Sequence, residues 1–207
     1  MVMPSISEVF AEWIAGLEFA DIPAAVIADV RPRVLDNLGV QLASLGLPST
    51  QAVLETVSAW GGEAQASVPG LERGLPAPSA AFAGGVMGNS FDYDDTHTPS
   101  MLHVHAVTIS AALAAAEAGN RTGREAMVAI VAGFETALRV ALTDPVGFEL
   151  LGVQPSSFVG VFGATAAACR AMGLDAPRVR NALGLAGNQA SGLLQSVVDG
   201  TDAKMFN

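Results

Sequence analysis

The chain has 207 residues, 51% of them hydrophobic and 14% charged, with mean hydropathy +0.43 and a net charge of −10. Ten Lys and Arg, thinly spread, form no basic footprint for nucleic acid. A membrane span needs about 18 apolar residues in a row, and the richest run, Met127–Val140, is broken by Gly133, Glu135 and Arg139. Oiliness of this kind fits an oligomer that buries helix faces against a partner. The length suits one large domain or two small ones. The single Cys169 lies in an Ala-rich run and has no internal disulfide partner, so a buried, reduced thiol is expected. The opening MVMPSISEVF carries Glu8 early and no basic segment, unlike a signal peptide. A cytoplasmic protein is the expectation.

In chain order, Ser5 with Glu8 is a capping box, and it opens a helix over about 6–18 with Val9, Phe10, Trp13, Ile14 and Leu17 on one face. Asp21 can cap a second helix that has Pro23 in its first turn and runs to about Ser44. Pro32 inside it predicts a kink or a break. Thr50 should begin a third helix ending at Gly61–Gly62. Residues 63–79 read as connector, with one short strand over Ala64–Val68, and Ser79 can cap a helix over about 80–90. Ala106–Gly119 is an Ala-rich helix. The capping box Thr122–Glu125 opens an almost wholly apolar helix to about Leu142, ended by Asp144–Pro145 and expected at the centre of the fold. A loop over 146–157 leads to a helix at about 157–172 with a small-residue face. Asp175 and Pro177 then open a helix to Gln189, and an irregular end carries Lys204, the only lysine. About eight helices and no convincing set of strands predict an all-α domain.

The polar stretch Phe91–Ala106, FDYDDTHTPSMLHVHA, gathers Asp92, Asp94, Asp95 and all three His of the chain, His97, His103 and His105. Three carboxylates so close repel one another unless they face a cation, hydrogen-bond donors or water. A solvated loop capping the adjoining helices would do. So would a metal site, because carboxylates with His-x-His can bind zinc, manganese or iron. Metal-free acid–base catalysis is the third reading: His titrates near neutrality, and an Asp beside it fixes the tautomer.

Several segments, in order, resemble the MmgE/PrpD family, which includes 2-methylcitrate dehydratase, cis-aconitate decarboxylase and iminodisuccinate epimerase. They are LPAPSAAFAGGVMGN followed by FDYDDTH; LHVHAVTISAALAAAEAGNRTGREAMVAIVAGFETALRV; GVQPSSFVGVFGATAAACRAMGLDAPRVRNALGLAGNQASGL; and GTDAKMFN. The resemblance implies an all-α domain, usually dimeric, with no metal or organic cofactor. It implies a lyase or isomerase that removes a proton next to a carboxylate of a small polycarboxylate, or loses CO2. Carried over by position, His103 is the proton-transfer group, Lys204 the partner of a carboxylate or of developing charge, and Asp92 the orienting residue. Thr96, Asp95, His105 and Gln154 are the expected substrate contacts.

Three departures from the family pattern stand out. Gln154 replaces a family His, and Gln cannot shuttle protons. Val104 and His105 replace the Pro and Ser of the family's LHPS. The family is about twice this length, so the expectation is a single helical domain over residues 1–207 without the C-terminal α+β lid domain. These departures keep a second expectation open: a degenerate or split helical subunit that binds a partner chain, such as a separate lid-domain subunit.

Overall fold

A computed structural model describes residues 3–145 and 147–201. Among them the fold is all-α, with isolated bridges and no β-strand. The helices are α1 Ile6–Gly16, α2 Ala24–Ala43, α3 Pro48–Trp60, α4 Ala77–Gly88, α5 His105–Ala118, α6 Gly123–Ala141, α7 Gly147–Leu150, α8 Pro155–Met172, α9 Ala176–Gln189 and α10 Gln195–Asp199. Eight of these have eleven residues or more; α7 and α10 are short.

Local chemistry explains most of the starts. Both capping boxes form: Ser5 Oγ accepts from Glu8 N–H while Glu8 accepts from Ser5 N–H at 2.8 Å, and Thr122 with Glu125 repeats the pattern. Asp175 caps α9 by accepting from Arg178 N–H at 3.0 Å. Such caps contribute about 1 kcal/mol each. Three other starts differ from expectation, and each yields to a proline. Asp21 instead accepts from Glu18 N–H at 2.9 Å in a separate 3-10 turn, and Pro23 is the N-cap residue before Ala24, where α2 begins. Helix α3 starts at Pro48, leaving Thr50 inside it and buried. Helix α4 starts at Ala77 after Pro76, with Pro78 in its first turn, so Ser79 is no cap. Pro fits a first turn, where its missing N–H would have no partner anyway. Helix α2 runs continuously through Pro32. The expected strand over Ala64–Val68 reduces to one bridge between Ala66 and Leu75. The expected loop 146–157 contains α7 and the first turn of α8.

Helix α6 is central, with Val128–Gly133 buried without interruption. It packs on α8, α8 on α5, and α5 on α4. Glycine makes the α6–α8 approach possible: a Cβ on Gly133 would lie 2.8 Å from the Gly163 carbonyl oxygen, and one on Gly163 would lie 2.9 Å from Ala137 Cβ. The main core joins Ile14, Ile109, Ile130 and Val179 from α1, α5, α6 and α9, and includes the buried free Cys169, whose thiol burial pushes above its ordinary pKa. A smaller cluster of Leu102, Val104, Ala137, Ala141 and Val159 lies under the polar stretch and supports it. No helix among the described residues is long and apolar enough to cross a membrane.

Candidate active site

The polar stretch leaves α4 and returns as α5. Asp92 (φ 52°) and Met101 (φ 51°) both adopt the left-handed region, which turns the chain sharply at each. Between them His97 N–H donates to Leu102 C=O at 2.9 Å, and Leu102 N–H donates back at 3.4 Å. His97 Nδ1 and Ser100 Oγ are 2.7 Å apart, so this imidazole staples its own turn. Leu102 is fully buried and Val104 nearly so, which anchors the loop by about 1.5–3 kcal/mol for each such side chain. His103 between them lines a cleft of about 240 Å³ bounded by α4, α5 and the start of α8.

Hydrogen bonds fix the state of His103. Its Nδ1 lies 3.0 Å from the Asp95 carbonyl oxygen. A carbonyl only accepts, so Nδ1 carries a proton, and Nε2 is the nitrogen that contact leaves free. Thr96 Oγ1 is 3.4 Å from the same Nδ1, and the His103 N–H donates to Ser156 Oγ at 3.0 Å. Asp94 Oδ1 stands 3.6 Å from Nδ1. The Asp94 side chain is only 2% exposed, and Oδ1 has no hydrogen-bond partner. Burial pushes the Asp94 carboxyl up to about 6, against the opposing pull of His103.

Asp95 faces the other way. Its carboxylate takes Arg33 Nη1 at 2.9 Å and the His105 N–H at 3.2 Å, and Arg33 also holds Asp29 at 2.6 Å. Thr96 and Asp95 line a separate cavity of about 220 Å³ with Arg33, His97 and Glu135. His105, the first residue of α5, is 2% exposed and stacked on Phe134 with ring centroids 6.0 Å apart. Neither ring nitrogen makes a hydrogen bond: Asp36 is 3.5 Å from Nδ1 and Asp95 is 3.6 Å from Nε2. Burial lowers the His105 pKa, against the opposing pull of Asp95 and Asp36.

Of the residues expected from sequence, His103 and Gln154 therefore share the cleft, Thr96 and Asp95 border its neighbour, and His105 is packed behind both. Asp92 is exposed, yet ligand atoms of Asp92, Asp94 and His103 lie within 4.8 Å of one another, a spacing that can hold a metal ion. Lys204 lies outside the described residues. Gln154 is buried as the N-cap of α8, its Oε1 accepting from Ser157 N–H at 2.7 Å and Ser157 Oγ at 2.9 Å. Sequence reasoning assigned no role to Ser156, Ser157 or Asn89, which also line the cleft, and placed Asp94 in the acidic group without choosing it. Ser156 and Ser157 open an 18-residue helix whose positive dipole end faces the cleft.

The cleft thus brings together one imidazole, one buried carboxyl group and a helix N-terminus. The MmgE/PrpD N-terminal domain model matches residues 8–206, and the chain belongs to that family. It is 29% identical over 205 residues to a cis-aconitate decarboxylase-like protein of Aspergillus oryzae, covering 95% of this chain and 42% of that one. It is 30% identical over 200 residues to human cis-aconitate decarboxylase and 28% identical over 196 to the mouse protein, covering 92% of this chain and 40% of each relative. The chain thus spans about two fifths of the length of the curated relatives it matches.

Proposed function

We propose that this chain carries the proton-transfer half of a lyase or isomerase acting on a small polycarboxylate, without a metal or organic cofactor. The observation that carries this reading is the His103–Asp94 pair in the cleft: a base with a fixed tautomer beside a buried carboxylate. A substrate carboxylate docks at the N-terminus of α8, where Ser156 and Ser157 stand. His103 Nε2 takes the proton from the carbon next to that carboxylate, and the electron pair moves into the carboxylate as an enolate. The imidazolium is held by the Asp95 carbonyl and Asp94. It then returns the proton to the other face of the enolate once the enolate has turned over in the cleft, as epimerisation requires, or to a departing hydroxyl in dehydration. In decarboxylation a His103 that starts protonated gives its proton to the carbanion left by CO2. The relatives' names favour decarboxylation among these. Acid–base catalysis of this kind contributes about 10²–10⁴-fold, and Lys204 is proposed as the partner of the developing charge.

The test is NMR of di- and tricarboxylates incubated with the protein in heavy water. Deuterium entering a carbon next to a carboxylate, or loss of CO2, supports the reading; inert substrates across the panel overturn it. A second reading, a helical subunit that binds a partner chain, is favoured by one observation. Leu150, Leu151 and Leu193 are 70–82% exposed beside Gln154, and Val153 bridges to Leu193. Activity that appears only on adding a lid-domain subunit would select it.

A further inference from the structure

Asp95 is a joint between three elements. Its carbonyl oxygen accepts from His103 Nδ1 at 3.0 Å, within the polar stretch. Its carboxylate takes Arg33 Nη1 of α2 at 2.9 Å and the N–H of His105, which opens α5, at 3.2 Å. The backbone around it is otherwise loosely directed. Among the described residues, Asp92 and His97 donate backbone hydrogen bonds, and none of the four residues between them makes one to another backbone group. Asp94 is buried, but its Oδ1 has no hydrogen-bond partner. The direction of the Asp95 carbonyl therefore depends on how its own side chain is held.

Arg33 does the holding from α2. Asp29, one turn earlier, binds Arg33 Nε at 2.6 Å, and this leaves Nη1 for Asp95. A planar guanidinium fork loses less freedom per bond than a flexible ammonium. Arg33 lines the neighbouring cavity with Asp95 and is not among the described residues that line the His103 cleft. Its route to His103 runs through Asp95. Two acceptors stand near that ring: the Asp95 carbonyl at 3.0 Å from Nδ1, and the unbonded Asp94 Oδ1 at 3.6 Å. The partner of one ring nitrogen sets how the other is presented. A carbonyl free to drift would hand Nδ1 to Asp94, turn the ring and move Nε2.

We propose that Arg33 is a positioning residue: aimed by Asp29, it clamps Asp95 so that the Asp95 carbonyl, and not Asp94, holds His103 Nδ1. The inference rests on the reading of His103 as the proton-transfer group. The test follows the His103 ring nitrogens of the full chain by 15N NMR, assigned by their loss in His103→Ala, together with deuterium entry into citrate and cis-aconitate in heavy water. In Arg33→Gln the Nδ1 signal should move and broaden. The exchange kcat should fall about tenfold to a hundredfold, with KM little changed. Arg33→Lys keeps a charged donor on α2 and should recover part of both. Arg31→Gln removes an exposed charge from the same helix and should leave both as in the wild type. Asp95→Asn keeps the side-chain shape and drops its charge, so it should move Nδ1 the same way, and it carries the test if Arg33→Gln does not fold. Ring signals unmoved in a folded Arg33→Gln or Asp95→Asn protein, a loss confined to KM, or an equal shift in Arg31→Gln overturn the inference. The two proposals fail separately: ring signals that move in proteins that exchange no proton keep the clamp and remove the reaction, while exchange lost with the ring unmoved does the reverse.

Discussion

His103 and His105 stand two residues apart, one against the Asp95 carbonyl and one beside its carboxylate, and differ in nearly everything but composition. His103 borders a cleft, has one nitrogen committed to a carbonyl, and lies 3.6 Å from a carboxylate. His105 is sealed against Phe134 with both nitrogens unbonded and its pKa lowered by burial. Asp94 and Asp95 divide the same way: one is buried with a raised pKa, the other tied to Arg33. In a cluster of identical residue types, the neighbours that packing supplies set each group's chemistry.

The sharpest way to break this contrast is His103→Ala. Turnover should fall by about 10²–10⁴-fold while circular dichroism keeps the helical signal. A fully active variant would remove His103 from the mechanism. Asp94→Asn comes next, with turnover down about tenfold or more and loss of a rise in activity through about pH 6 in the pH–rate profile. Its stability should move the other way. The raised Asp94 pKa means that stability is complete below the ordinary carboxyl pKa and is lost as pH rises through about 6. The neutral-pH protein thus carries a penalty of up to about 3 kcal/mol, and the Asn variant should melt higher at pH 7.

His105→Phe keeps a ring against Phe134 and removes the two unpaired nitrogens. Because burial depresses the His105 pKa, the wild-type loses stability as pH falls below about 6.5. Urea unfolding of the variant should lose that acid-side decline, and turnover should drop far less than in His103→Ala. Gln154→Ala should cost about 1 kcal/mol through the α8 cap. Gln154→His, which puts in the residue the family resemblance leads one to expect there, should raise proton exchange; no gain would mark a diverged pocket. The smallest expected effect is EDTA, which should leave turnover unchanged. Chelator-sensitive activity would make Asp92, Asp94 and His103 a ligand set.

The fold was legible where signals are local. Ser5–Glu8, Thr122–Glu125 and Asp175 place their helices because a cap and its partner lie within three residues. Asp21, Thr50 and Ser79 misled because nearby prolines start helices without a side-chain cap. The site was legible as a region but not residue by residue. Nothing in the run DYDD marks Asp94 as its buried member, since that depends on Leu102 and Val104 docking on a cluster from α6 and α8. Ser156 gains its role from a bond to His103, 53 positions away. Gln154 looked like a lost proton shuttle, and its cap geometry emerged only with the turn.

At the α6–α8 seam, Gly133 and Gly163 leave no room for even one added carbon on either backbone. That seam is closed to mutational drift. Relatives that keep this scaffold can diversify only elsewhere. Selectivity can thus evolve only over an immobile foundation.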